Sequence, residues 1–84
     1  MTPEQVKALI EAGIEGAEVA VEGSGDRFDV RVVASAFDGL SLVRKQLLVN
    51  ACLKDCFADG SLHAINMKTF TPAEWEKAQR LGTF

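Results

Sequence analysis

Apolar residues near the start of the chain fall at Val6, Leu9, Ile10 and Ile14, the three-and-four spacing of a helix with one packed face. Just before them, Thr2-Pro3-Glu4-Gln5 offers an N-cap hydroxyl, a proline where its missing N–H costs nothing, and a glutamine able to reach back to the cap. The pattern predicts a helix from about 3 to 13, ended by Gly13 or Gly16. From residue 18 the period drops to two. Val19 and Val21 alternate with Glu18, Ala20 and Glu22, and Phe28, Val30 and Val32 alternate with Arg27, Asp29 and Arg31. This is the signature of a hairpin with one packed and one wet face, its turn at Gly23 to Asp26. Those glycines could also suggest a phosphate cradle, but no lysine and no helix follows them, and the hairpin is the better reading.

Helical periodicity returns in FDGLSLVRKQLLVNACLKDCFADG. Leu40, Val43 and Leu47 form one apolar stripe and Leu48, Cys52 and Cys56 another, which predicts one bent helix or two short ones with the change near Asn50. Asp59-Gly60 closes the segment. A third strand is predicted at about 62–70, with His63, Ile65, Met67 and Thr69 on one face. Thr71-Pro72-Ala73-Glu74 then repeats the capping signal and opens a last helix carrying Trp75. The expected order is α-β-β-α(α)-β-α: an α/β fold with a three-stranded mixed sheet and helices packed on one face. The third strand, reached by a helical crossover, can run parallel to a hairpin strand.

Size narrows the options. With 84 residues, 48% of them hydrophobic, the chain has room for a single domain, residues 1–84, and a modest core. A large enclosed active site is not expected. The net charge of −3 is uneven: residues 1–29 hold seven acids against Lys7 and Arg27, and residues 30–84 hold seven bases against five acids. An isoelectric point near 5.0 argues against strong sequence-independent DNA binding, though a local basic strip remains open. No run approaches the roughly 20 apolar residues of a membrane span, and the start lacks the features of a signal peptide, so a cytoplasmic protein is expected. Cys52 and Cys56, four apart in a helical pattern, are expected to be free thiols.

The candidate chemistry is sparse. His63 is the only histidine. It is expected at the rim of the core, as a hydrogen-bonded structural residue or as a ring offered to a metal. No nearby Ser, Asp or Glu supplies the partner of a nucleophile–base pair, so catalysis is not expected. Cys52, Cys56 and His63 are the right ligand types for zinc or a cluster, yet the cysteines fit better as small apolar core residues. Arg44 and Lys45, with Arg31 and Lys68, could form a basic strip, for which solvated surface charge is the default explanation.

Taken together, RVVASAFDGLSLVRKQLLVNACL followed by LHAINMKTFTPAEW resembles the BolA family, in particular its short IbaG-like branch. The resemblance rests on the strand ending near Val33, Phe37-Asp38-Gly39, Arg44-Lys45, Leu48-Val49-Asn50, His63-Ala64 and the Thr69-to-Trp75 close, and it covers residues 28–75. It implies a class II KH-like fold, a link to stress response, and partnership with a monothiol, CGFS-type glutaredoxin; a monomer or weak homodimer is expected. In that family the heterodimer carries a bridging 2Fe-2S cluster held by the glutaredoxin cysteine, glutathione and a histidine that corresponds to His63. Ligation by an imidazole would tune the iron relative to an all-thiolate site. One departure stands out: the loop between the first two strands, EGSGDRF, has neither the His nor the Cys that relatives commonly place there, leaving Asp26 as the only local candidate ligand. The alternative is a KH-like nucleic-acid-binding transcriptional regulator using Arg44, Lys45 and Lys68. KH domains clamp a backbone with a GXXG loop; DGLSL after Phe37 has a single glycine.

Overall fold

The computed structural model describes residues 1–25 and 27–82. Helix α1 spans Pro3–Gly13 and enters through a complete capping box: Gln5 N donates to the Thr2 hydroxyl and Thr2 N donates to Gln5 Oε1. Its apolar face buries Val6 and Ile10, and Ile14 follows them into the core. Strands β1 (Glu18–Ser24) and β2 (Arg27–Val33) pair antiparallel with Val19 opposite Val32 and Val21 opposite Val30. The hairpin is thus tighter than expected, the ladder running to Ser24 and resuming at Arg27. Gly23 adopts φ +123°, and any β-carbon there would strike the Arg27 carbonyl oxygen, so the close approach of the two strands requires a glycine. Asp26 lies outside the described residues.

Beyond β2 a short 3-10 turn, Ser35–Phe37, drives the Phe37 ring fully into the core. The following helical segment divides at Leu53 into α2 (Leu42–Cys52) and α3 (Lys54–Ala58). Leu53 leaves helical geometry at φ −111°, ψ 8°, its N–H reaching the Asn50 carbonyl three residues back while its side chain is completely buried.

Helix α2 does not face the core as its apolar stripes suggest. The buried positions are Lys45 and Val49, continued by Leu53, whereas Leu42, Val43 and Leu47 point to water at 62%, 64% and 60% exposure. With apolar residues all round the helix, periodicity had no contrast from which to fix a facing. Packing against α1 settles it. Cys52 meets α1 at Gly13, where a β-carbon would crowd Sγ to less than 3.0 Å.

Strand β3 (Ala64–Phe70) runs parallel to β2, Val30 opposite Met67, giving the sheet order β1-β2-β3 with β3 at an edge. It starts two residues later than the sequence suggests, leaving His63 just ahead of it. Helix α4 (Pro72–Arg80) opens on a second capping box built by Thr71 and Glu74. The core lies between α1, α2 and the sheet face carrying Val19, Phe28, Val30 and Val32. Helix α4 departs from the one-faced arrangement. Trp75 stacks over the Arg31 guanidinium, 4.2 Å from ring centroid to Cζ, and against the Phe70 ring at 5.3 Å. Arg31 alternates with Val30 and Val32, so this ring covers the opposite face of the sheet.

Candidate functional site around His63

The loop before β3 is built to present His63. Helix α3 ends at Asp59, whose carboxylate accepts from Ser61 N at 2.8 Å and Ser61 Oγ at 2.5 Å. The Ser61 hydroxyl and then its N–H hold the Asp59 carboxyl below its ordinary value. Between them Gly60 sits at φ +82°, a conformation costly for any residue with a side chain. Leu62 is the anchor: its side chain is buried and its N–H donates to the Cys56 carbonyl at 3.0 Å. His63, next in line, points outward and is exposed. Gly60 lies beside it, a β-carbon built there falling 4.0 Å from His63 Nε2. A turn, a buried plug and a strand start therefore fix an exposed imidazole on rigid backbone.

His63 opens onto a groove of about 640 Å³ between Gln46 and Asn50 of α2, Phe57 of α3, and the run His63 to Met67. Successive side chains of a strand point to opposite faces, so a cavity lined by five consecutive residues follows the edge of β3. Gln46 and Asn50, one turn apart on α2, supply amide donors and acceptors along its far wall. Neither amide was singled out as a site residue from the sequence; the signal available was their spacing of four.

Among the described residues no group of three or more His, Cys, Asp or Glu converges on a metal-sized site. Within that set no self-contained zinc site is built, and the imidazole at the groove is His63. The cysteines do not add to it. Cys52 and Cys56 are free and half-buried, and both pack against the core. Burial pushes the Cys52 thiol up, and its Sγ donates to the Leu48 carbonyl at 3.3 Å, so it is a neutral thiol directed into its own helix.

The proposed basic strip is dispersed. Lys45 is buried, its Nζ donating to Glu74 Oε1 at 3.1 Å, and it presents no charge to a ligand. Arg44 is exposed on the outer side of α2. Lys68 pairs with Arg31 on the sheet face that α2 does not cover. A phosphate chain could not follow these residues as one track.

Residues 7–74 match the sequence model of the family described as BolA-like protein. The chain belongs to the BolA family. Over 84 residues, all of both chains, it is 36% identical to the Acid stress protein IbaG of Escherichia coli K12. Among solved structures it is similar to a BolA protein homologue from Coxiella burnetii, with a TM-score of 0.79 and 31% identity covering 90% of this chain and 97% of that one. It is also similar to the BolA domain of SufE1 from Arabidopsis thaliana, with a TM-score of 0.74 and 28% identity over 86% of this chain and 93% of that one. As a BolA protein it has the expected mixed three-stranded sheet, and no helix among the described residues is long and apolar enough to cross a membrane.

Proposed function

We propose that this BolA protein is a non-catalytic partner of a monothiol glutaredoxin, contributing the His63 imidazole as one ligand of a shared 2Fe-2S cluster. The observation that carries the reading is the presentation of His63: an exposed ring held between a buried Leu62 and the first residue of β3, at the mouth of a groove open to a second protein. A ligand supplied from a strand start needs no rearrangement of the fold when the partner arrives. The remaining ligands come from the partner's cysteine and glutathione, in keeping with a chain that offers one imidazole and no converging thiolate. When bound, the cluster supplies redox-active iron whose properties depend on replacing one thiolate by a neutral nitrogen. This chain's residues orient that nitrogen: the Asp59–Ser61 turn and Gly60 set the loop, and Leu62 fixes its depth.

Loop β1–β2 contributes no histidine or cysteine. We infer that, among the described residues, ligation rests on His63, so the complex depends on that one side chain more steeply than it would with a histidine or cysteine in the loop. Visible-region circular dichroism tests this. Adding the wild-type protein to an anaerobic, cluster-loaded monothiol glutaredoxin with glutathione should produce a new spectrum, and His63→Ala should not. Identical spectra from the two proteins would refute the assignment.

A further inference from the structure

The apolar side of α2 that faces water has no role in the fold. Val43 and Leu47 are 64% and 60% exposed, with Leu48 beside them at 38%. The core is served instead by Lys45, Val49 and Leu53 on the other side of the helix. Exposed apolar patches that exceed a few hundred Å² mark interaction surfaces more often than chance. The question is what covers this one.

Its position supplies part of the answer. Gln46 and Asn50 line the His63 groove, and at about 100° per residue Val43 and Leu47 lie next to them around the helix. Leu47 then borders a second, shallow depression of about 490 Å³ shared with Leu40, Arg44 and Leu48. From His63 to Arg44 the surface is therefore continuous, and a protein reaching His63 across the groove would also meet Val43 and Leu47.

Charge supplies the rest. Between Ser41 and Lys54 there is no acidic residue, and Arg44 stands exposed within the apolar ridge. A second copy packed on this ridge about a twofold axis would bring Arg44 toward its own equivalent, with no carboxylate on α2 to separate them. A different protein with apolar residues around an acidic side chain complements it better.

We propose that the Val43–Arg44–Leu47 ridge of α2 is the docking surface for the partner that uses His63: a protein presenting an apolar patch with a carboxylate for Arg44. This rests on the reading of His63 as a shared ligand, and deepens it by separating docking from ligation. The ridge holds the partner before and without the cluster; His63 engages afterwards.

The experiment measures affinity for a monothiol glutaredoxin with glutathione, cluster-free, by isothermal titration calorimetry, for wild type, Leu47→Glu, Arg44→Glu and His63→Ala. All three side chains are exposed, and near-ultraviolet circular dichroism of Trp75 verifies that each variant is folded. Leu47→Glu is expected to weaken cluster-free binding at least tenfold and Arg44→Glu several-fold, with the salt dependence reduced in the latter; His63→Ala is expected to cost less than Leu47→Glu. Affinity of Leu47→Glu within twofold of wild type would overturn the docking surface, as would the absence of any cluster-free binding by wild type. Sedimentation showing that wild type self-associates through this ridge, with glutaredoxin affinity untouched by Leu47→Glu, would overturn it in favour of a second copy. The cluster spectrum of His63→Ala is a separate readout: its persistence removes the ligand assignment whatever the ridge variants do.

Discussion

Lys45 Nζ and the Thr71 backbone N–H donate to the same atom, Glu74 Oε1, at 3.1 and 2.8 Å. One carboxylate oxygen thus completes the N-terminal cap of α4 and neutralises the lysine that α2 buries. The two residues lie 29 positions apart in sequence, and this contact fastens the last helix to the body of the protein. It also explains why a lysine occupies a core-facing position of α2: its stem replaces apolar packing while its charge reaches a partner at the boundary.

The Thr71 N–H and then Lys45 hold the Glu74 carboxyl below its ordinary value of 4.5. A carboxylate favoured in the folded state stabilises it above the unfolded value, and that contribution is lost as pH falls through the lower folded value. Glu74→Gln keeps the side-chain oxygen for the cap but removes the charge. At pH 7 the variant should be less stable than wild type by about 1 kcal/mol or less, because half of the Glu74 side chain faces water. The gap should narrow as pH is lowered from about 4.5. Urea midpoints at a series of pH values measure this, and a gap that stays constant with pH would contradict it.

The facing of α2 is testable by two leucines. Leu53→Ala removes a completely buried side chain at the helix break and should cost about 2–5 kcal/mol. Leu47→Ala, on the exposed ridge, should change stability by less than about 0.5 kcal/mol. Comparable losses in urea unfolding would mean that the ridge is packed in solution.

Close approach of α1 and α2 depends on Gly13. In an open helix, alanine would be preferred to glycine by about 0.5–1 kcal/mol, but here the new β-carbon meets Cys52 Sγ. Gly13→Ala should therefore destabilise by about 1–3 kcal/mol. In a Cys52→Ala background, where the sulfur is gone and only Cβ remains near, most of that cost should disappear. An equal cost in both backgrounds would show that the sulfur is not the obstacle.

Local signals were the most legible part of this sequence. Both Thr-Pro capping boxes and the alternating hairpin report interactions within a few residues, and these elements formed as the pattern predicts, the hairpin with a tighter turn. The parallel position of β3 was allowed by its helical crossover, whereas His63, expected at the rim of the core within the strand, stands exposed just ahead of it. What was hidden depended on distant partners. Lys45 reads as surface charge until Glu74 is seen beside it. Leu47 reads as core until Val49 and Leu53 are found to fill that space. The cover that Trp75 gives to Arg31 arises because α4 turns round the end of the sheet, which no short-range pattern encodes. Family resemblance assigned His63 its candidate role; the structure adds the Asp59–Leu62 loop that holds it and the amide-lined groove beside it.

Electron paramagnetic resonance that detects nitrogen couplings tests the central claim most directly. The complex is assembled from nitrogen-15-labelled protein of this sequence and an unlabelled, cluster-loaded glutaredoxin with glutathione, then reduced. Because His63 is the only histidine here, ligation by it predicts a strong nitrogen-15 coupling of imidazole type to the cluster, absent in His63→Ala. A reduced cluster in the wild-type complex with no such nitrogen-15 coupling, or with the same coupling after His63→Ala, would contradict the account.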